Sequence, residues 1–265
     1  SREPLQAGAE LYGFDGIAAD IEIIGLMLDS LALADFGDVL LSLGHIGVFR
    51  ALAASAELSP QQAETLLAMM QDKNVAAVRG QVETWALDGM WRKAFSLLPT
   101  LYGGREILAQ AREKLPDLSL IGKALDELEA VCQAFPQRAV HIDLAELRVD
   151  NYHTGLLYAA YGSDGHDAVA RGGRYDGLGA YFGRSRPATG FSFDLRKFLG
   201  RLPQGGRRTA IAVALADAAD AAEEIARLRA EGETVVVDYG MEANSTRDGS
   251  RRLLKQDGKW VVLGD

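Results

Sequence analysis

The stretch ARGGRYDGLGAYFGRSRPATGFSFDLRKFL, residues 170–199, decides how the rest of this chain is interpreted. Glycine has no Cβ atom, so a backbone rich in glycine can turn at positive φ or approach a ligand closely. A Gly-Gly turn followed by Arg174, Tyr175 and Asp176 would carry a cation, a ring and a carboxylate, which suits a small zwitterion such as an amino acid. We also expect Gly190 to open an apolar helix. The alternative is a loop that joins two core elements.

Composition limits the possible functions. The chain has 265 residues, 48% hydrophobic and 25% charged, and a formal net charge of −9. The acidic balance disfavours a broad nucleic-acid surface, which needs clustered Lys and Arg. A single cysteine, Cys132, excludes an intrachain disulfide and fits a reducing compartment. No apolar run is long enough to cross a bilayer and no signal peptide is evident, so we expect a soluble, cytoplasmic protein without a membrane partner.

The first fifty residues combine strand and helix patterns. Apolar and polar residues alternate from Leu5 to Tyr12, which predicts a strand with Gln6 and Glu10 on one face. Apolar residues at helical spacing predict a helix over 15–34, followed by a short strand and a second helix. The sequence opens in the middle of a motif, so we expect that an N-terminal part of this domain is missing.

Residues 52–136 are predicted to form a helical insertion. Ser59 followed by Pro60 is a helix start, with serine as the N-cap. Further helices follow, and the most regular runs between Leu118 and Phe135. Four large side chains in this region are expected in the core rather than around a ligand, namely Met69, Met70, Trp85 and Trp91.

Strand patterns return after residue 138. A strand is predicted at 152–161, hairpin-paired with the next, and then a strand or turn that enters a helix near Ser192. This order predicts an α+β domain over 1–203, an antiparallel sheet flanked by helices and interrupted by the insertion. Residues 204–265 predict a separate small α/β unit with a parallel strand–helix–strand and a hairpin at Asp257-Gly258.

The chemistry suggested by single residues is limited. The histidines show no metal-ligand spacing, and no Walker A, dinucleotide-binding or nucleophile-elbow motif occurs, so we expect no metal and no cofactor. His153 could act as an acid or base, or be a strand histidine bonded to a neighbour. Arg148 could bind a carboxylate, or form a surface salt bridge. Gln6 and Glu10 could receive an ammonium or an imidazole N–H.

Taken together, the motifs resemble one family over nearly all of residues 1–200. The chain is similar to the class II histidyl-tRNA synthetase catalytic domain. Its motif sequences resemble even more closely those of the regulatory subunits of ATP phosphoribosyltransferase, which do not aminoacylate tRNA. The matching segments correspond to motif 2, the two histidine-specific signatures and motif 3: SREPLQAGAELYG, LRVDNYHTGLLY, ARGGRYDGL and RPATGFSFDLRKF.

The resemblance implies an amino-acid pocket at defined positions. The family's histidine-binding residues fall on six positions of this sequence: Gln6, Glu10, Arg148, Tyr152, Gly173 and Tyr175. In the synthetases such residues hold the substrate histidine. In the regulatory relatives a similar pocket is expected to sense L-histidine.

Departures from the synthetase pattern separate the two groups. Motif 3 of a working synthetase ends in Gly-x-Glu-Arg. In this chain Asp194 takes the place of the glycine and Lys197 takes the place of the arginine. Lysine lacks the planar fork with which arginine stacks on and neutralises ATP. Adenylate formation depends on electrostatic stabilisation of the phosphates, and losing the arginine is expected to remove roughly several kcal/mol of that stabilisation. The first signature has Asn151 and His153 where a synthetase usually has aspartate and tyrosine.

The resemblance therefore implies a non-catalytic regulatory subunit. Such a chain would activate a short-form ATP phosphoribosyltransferase catalytic subunit in a hetero-oligomer, mediate feedback by histidine, form a dimer with itself and bind no tRNA. One alternative is an active histidine-activating ligase. The other is a histidine-binding paralogue with a different partner.

Overall fold

The structure, a computed structural model, describes most of the chain: residues 5–146, 153–162, 167–177, 179, 183–198, 210–239 and 251–264. Contacts along the chain divide it into two compact units, Ser1–Leu202 and Pro203–Asp265. Each is described by itself.

The first unit is built on a seven-stranded sheet with the order β1-β7-β6-β5-β2-β4-β3. Its strands are β1 (Gln6–Tyr12), β2 (Leu40–His45), β3 (Tyr102–Gly103), β4 (Val140–Asp143), β5 (Leu156–Tyr161), β6 (Ala168–Arg174) and β7 (Ala188–Asp194). Neighbouring strands are antiparallel except β2 and β4, which run parallel. A parallel pair needs a long crossover, and the helical segment between these two strands supplies it. The predicted α+β fold is confirmed, with a sheet that is mixed rather than wholly antiparallel.

Seven α-helices accompany this sheet in the described part of the unit. They are α1 (Ile17–Leu33), α2 (Ile46–Ser55), α3 (Pro60–Gln71), α4 (Val75–Thr84), α5 (Gly89–Leu97), α6 (Glu106–Lys114) and α7 (Ser119–Ala134). The predicted start of α3 is confirmed, because Ser59 and Gln62 form a reciprocal capping box. Met70 is fully buried, and Met69, Trp85 and Trp91 pack partly buried against the core.

The two faces of the sheet differ. Helices α1 and α7 pack against one face, where Ile24, Leu43 and Leu128 are completely buried. On β1 the alternation exposes Gln6 and Glu10 on the opposite face. We call the two sides the helix face and the open face.

Two predictions about the glycine-rich stretch are wrong. Gly190 and Ser192 lie inside β7, so no helix opens at either residue, and a 3-10 turn, Leu195–Phe198, follows the strand. The alternation of Phe191 and Phe193 with polar residues is a strand period, and β1 and β6 pair with β7 on both sides. Gly172 and Gly173 likewise form no turn, because they lie within β6 between β5 and β7.

The second unit has a four-stranded sheet with the order β11-β10-β8-β9. Its elements are β8 (Ile211–Ala214), α8 (Ala222–Ala230), β9 (Val235–Asp238), β10 (Arg252–Gln256) and β11 (Lys259–Leu263). The parallel β8–β9 pair and the β10–β11 hairpin form as predicted. Asp257 and Gly258 both have positive φ, 48° and 80°, as a tight hairpin turn requires.

A buried ion pair connects the sheet to α1. Arg174 on β6 donates from Nε and Nη2 to the same oxygen of Asp20, at 3.0 and 2.6 Å. Their side chains are only 7% and 2% exposed. The guanidinium also reaches the carbonyl oxygens of Phe14 and Gly16 at 3.3 and 3.2 Å, so all of its nitrogens are used. Arg174 thus lies on the helix face, which corrects the expectation that it stands over the glycines beside a ligand.

We predict that Asp20→Asn lowers the free energy of unfolding by about 3 kcal/mol, because it leaves the Arg174 charge buried with less compensation. The matched control is Glu22→Gln, an exposed carboxylate on the same helix. It should change stability by less than about 0.5 kcal/mol. Urea unfolding of both variants measures the difference, and equal losses would contradict the structural role of the pair.

Candidate functional site

The candidate site lies on the open face, where three neighbouring strands place Glu10, Gly190 and Gly173 side by side. Directly paired residues of adjacent strands project to the same face of a sheet. The two glycines therefore form a bare strip of backbone beside the Glu10 side chain. We call Gly190 and Gly173 the glycine floor.

Glu10 lies directly on this floor. A Cβ atom at Gly190 would overlap the Glu10 carboxylate, so glycine is the residue that leaves room for it. Burial raises the pKa of Glu10. Within the described residues this carboxylate has no hydrogen-bond or ion-pair partner. An unpaired and partly desolvated carboxylate is suited to an incoming ammonium group.

Two rings bound the other end of the floor. A Cβ atom at Gly173 would lie 2.6 Å from Cδ2 of His153, so the imidazole ring rests on this glycine. Tyr175 is buried, and its ring meets that of His153 edge to face with centroids 6.3 Å apart. Strands lie about 4.8 Å apart, so the backbones of Glu10 and Gly173 are separated by about 10 Å. That span matches a small amino acid.

The floor is supported from the helix face. The hydroxyl of Tyr158 donates to the carbonyl oxygen of Gly190 at 2.8 Å and lies 3.2 Å from the Thr189 hydroxyl. Burial raises the pKa of Tyr158, which keeps its hydroxyl protonated as a donor. Gly172 leaves room for this ring, because a Cβ atom there would overlap both Tyr158 and the Gly190 carbonyl oxygen.

A hydrogen-bond cluster fixes the segment that carries His153. The Thr154 amide donates to the Arg174 carbonyl at 2.7 Å, and its hydroxyl donates to Asp176 Oδ2 at 3.1 Å. Asp176 Oδ1 accepts from the Ala188 amide at 3.1 Å and from Arg174 at 3.2 Å. Asp176 is therefore a structural acceptor and not the ligand-facing carboxylate suggested by its place in the sequence.

The remaining predicted residues lie elsewhere. Gln6 shares the open face with Glu10, but four residues along β1 separate them by about 13 Å. Asp194 pairs with Gln6 and accepts a hydrogen bond from the Arg196 amide at 3.0 Å, which starts the 3-10 turn. Lys197 belongs to that turn. Arg148 and Tyr152 lie outside the described residues.

A cavity of about 620 Å³ adjoins the site at His153. Helices α2 and α3 and the connection between them supply its walls, including Phe49, Leu58 and Leu67. Arg50 and Glu64 are the charged side chains in this part of the lining. Among the residues that the structure covers, no three His, Cys, Asp or Glu side chains are grouped so that they could hold a metal ion. Nor does any helix in the same ranges have the length and apolarity to span a membrane.

Two family models match the chain. The model described as histidyl-tRNA synthetase matches residues 1–198. The model described as the ATP phosphoribosyltransferase subunit HisZ C-terminal domain matches residues 208–263. An ATP phosphoribosyltransferase regulatory subunit of Neisseria meningitidis is 64% identical over 99% of the chain, which spans 68% of that relative.

The chain belongs to the family of ATP phosphoribosyltransferase regulatory subunits. A member from Chromobacterium violaceum is 47% identical over the same share of the chain. The Bacillus halodurans structure named as an ATP phosphoribosyltransferase regulatory subunit/histidyl-tRNA synthetase has a TM-score of 0.76 at 29% identity, covering 90% of this chain and 64% of that one. Histidyl-tRNA synthetase from Nostoc has the same fold, with a TM-score of 0.68 at 18% identity over 98% of this chain and 71% of its own.

The family resemblance assigned Glu10, Gly173 and Tyr175 to one pocket, and these three residues lie along the same face of the sheet. Their role in binding a ligand stays a prediction. The resemblance did not point to Gly190, which lies beneath Glu10. The signal was present, since the alternation of Phe191 and Phe193 indicates a strand whose intervening positions face the other side.

We predict that Gly173→Ala lowers the free energy of unfolding by about 1–3 kcal/mol, because the new methyl group must displace the His153 ring or the nearby Leu156 carbonyl. Gly177→Ala is the matched control, since no atom lies within 4 Å of a Cβ atom there. Chemical unfolding of the two variants makes the comparison. If Gly173→Ala proved as stable as the control, the ring would not rest on the glycine.

Proposed function

We propose that this chain is a regulatory subunit that binds L-histidine on the glycine floor, activates a short-form ATP phosphoribosyltransferase catalytic subunit and transmits inhibition to it. The observation that carries the proposal is the unpartnered Glu10 carboxylate lying on Gly190. Membership of the family supports the regulatory role, and Glu10 with the glycine floor supports an amino acid as the ligand.

The α-ammonium of histidine fits Glu10, which offers an ionic acceptor in a partly desolvated position. The glycine floor lets the ligand backbone approach the sheet closely. His153 and Tyr175 then flank the imidazole side chain at the far end of the floor. The family resemblance adds Gln6, Arg148 and Tyr152 to the proposed set, with Arg148 as the partner of the ligand carboxylate.

Regulation requires more than binding. Histidine shifts the activity of a complex only if it binds one state of that complex more tightly than another. The segment that carries His153 is connected through Thr154 and Asp176 to Arg174, and thence to α1. A ligand that moves His153 would therefore act on the packing of α1 against the sheet.

The motif 3 region supports a non-catalytic role. Asp194 stands where a synthetase has glycine, and its carboxylate is engaged by the Arg196 amide at the end of β7. Lys197 cannot reproduce the planar arginine fork that ATP requires in the synthetases. We infer that the chain neither forms histidyl adenylate nor binds tRNA.

The proposed partner follows from the family. A solved structure from Thermotoga maritima is named as the ATP phosphoribosyl transferase (HisG:HisZ) complex, and its fold matches 72% of this chain and 66% of that one with a TM-score of 0.57 at 23% identity. We propose a corresponding hetero-oligomer with a catalytic subunit, in which this chain also forms a dimer with itself.

Titration with L-histidine tests the proposed site. We predict that Glu10→Gln weakens binding by at least about tenfold, as expected when a charged hydrogen bond of about 1.5–3 kcal/mol is lost. The control Glu22→Gln lies on the opposite side of the domain, on α1, and should bind normally. Isothermal calorimetry measures both, together with Arg148→Ala. Undiminished binding by Glu10→Gln and Arg148→Ala would refute the site.

Two activity assays test the functional class. We expect the chain to raise phosphoribosyl transfer by a short-form catalytic subunit from the same organism, and L-histidine to reverse that increase. We expect no histidine-dependent ATP–pyrophosphate exchange. Exchange would instead establish a ligase, whereas histidine binding without activation would favour a paralogue with another partner.

A further inference from the structure

A second, smaller cavity lies on the same open face but further along the strand order, where β5, β2 and β4 are neighbours. Its volume is about 330 Å³. Its floor comes from paired residues of adjacent strands, since Ser42 pairs with His141 and Leu40 pairs with Tyr161. The glycine floor belongs to β6 and β7, so this cavity is separate from the proposed histidine site.

Ser42 is the unusual residue of this cavity. It is only 6% exposed, and within the described residues its hydroxyl has no hydrogen-bond partner. Its oxygen is not fully enclosed, because Asp20 Oδ1 is the enclosed side-chain oxygen without a partner in the described part of the chain. The Ser42 hydroxyl faces the cavity, so a molecule inside the cavity is the partner that the structure leaves room for.

Two further polar side chains line the same space without a hydrogen-bond partner among the residues described, Tyr161 and His141, whose ring lies beside that of Tyr102. Serine and tyrosine hydroxyls can each donate and accept, and a neutral imidazole does both with its two nitrogens. The cavity therefore presents three neutral groups of mixed donor and acceptor character beside the carboxylates of Asp143 and Glu146. Hydroxyl groups of a ligand, which also donate and accept, complement such a set.

Charge narrows the ligand class further. Two carboxylates line the cavity, Asp143 and Glu146. Asp143 is buried, is already paired with Lys73 and also accepts from the Ala145 amide at 2.9 Å. Glu146 has an interaction of its own as well. No Lys or Arg is among the described residues that line the cavity. A phosphate or carboxylate would meet two carboxylates and no counter-charge there, and an ammonium would have to compete with Lys73 for Asp143 or with the existing partner of Glu146. An uncharged ligand meets neither cost.

The volume and the apolar wall of the cavity indicate the size of the ligand. A volume near 330 Å³ stands at the small end of ligand cavities. Leu40 and the ring of Tyr161 form an apolar wall against which the C–H face of a sugar ring can pack. We propose that this cavity binds a neutral polyhydroxylated molecule of pentose size, either a free pentose or the ribosyl group of a nucleoside, with the Ser42 hydroxyl as a principal contact.

Saturation-transfer NMR with the whole chain tests the proposal, using D-ribose, adenosine and ribose 5-phosphate as separate probes at millimolar concentration. We expect transfer to ribose, to adenosine or to both, with the stronger probe identifying the source of the sugar. Ser42→Ala should weaken that binding about fivefold, the effect of about one hydrogen bond. Ser192→Ala, an exposed serine of β7 on the same face, should not change it.

The thermal midpoint separates a ligand contact from a structural one. Because Ser42 has no partner within the described chain, Ser42→Ala should leave the midpoint of the free protein unchanged or raise it. His141→Gln provides a second variant that should also weaken binding. The proposal is overturned by absence of transfer to both neutral probes, by tighter binding of ribose 5-phosphate than of ribose, by undiminished binding in Ser42→Ala, or by a lowered midpoint in that variant.

Discussion

The ion pair between Arg174 and Asp20 fixes the side-chain alternation on which the candidate site depends. A buried guanidinium is stable only beside a counter-charge and with its N–H groups satisfied, and the start of α1 supplies both. With Arg174 held on the helix face, its strand neighbours Gly173 and Tyr175 must face the other way. The same interaction therefore packs a helix on the sheet and presents the site on its open side.

Three glycines of β6 and β7 each leave room for a different neighbouring side chain. Gly190 makes room for the Glu10 carboxylate, Gly173 for the His153 ring, and Gly172 for Tyr158 on the helix face. None of these needs a turn or a positive φ. Each instead allows a side chain from a neighbouring strand or segment to lie flat across the backbone, so the density of glycine in this stretch reflects close approach within a sheet.

Local sequence patterns predicted most of the fold. The alternation in β1, the Ser59 capping box and the Asp257-Gly258 turn depend on residues near one another in the chain, and all three are present. The partner of Arg174 could not be predicted this way, because Asp20 is 154 residues distant. The helix expected after Gly190 was wrong because pairing on both sides selects the strand. The family resemblance identified Glu10, Gly173 and Tyr175 as candidate site residues. Their contacts with Gly190 and His153 depend on the register of the neighbouring strands, which the local sequence does not specify.

We propose that this member of the regulatory-subunit family binds an amino acid on its open face, through Glu10 and the glycine floor. A crystal structure of the chain with L-histidine tests it most directly. We expect the ligand to lie over Gly190 and Gly173, with its ammonium nitrogen within hydrogen-bond distance of the Glu10 carboxylate. Histidine bound on the helix face against Arg174, or a Glu10 carboxylate without a ligand contact in a histidine-saturated crystal, would contradict it.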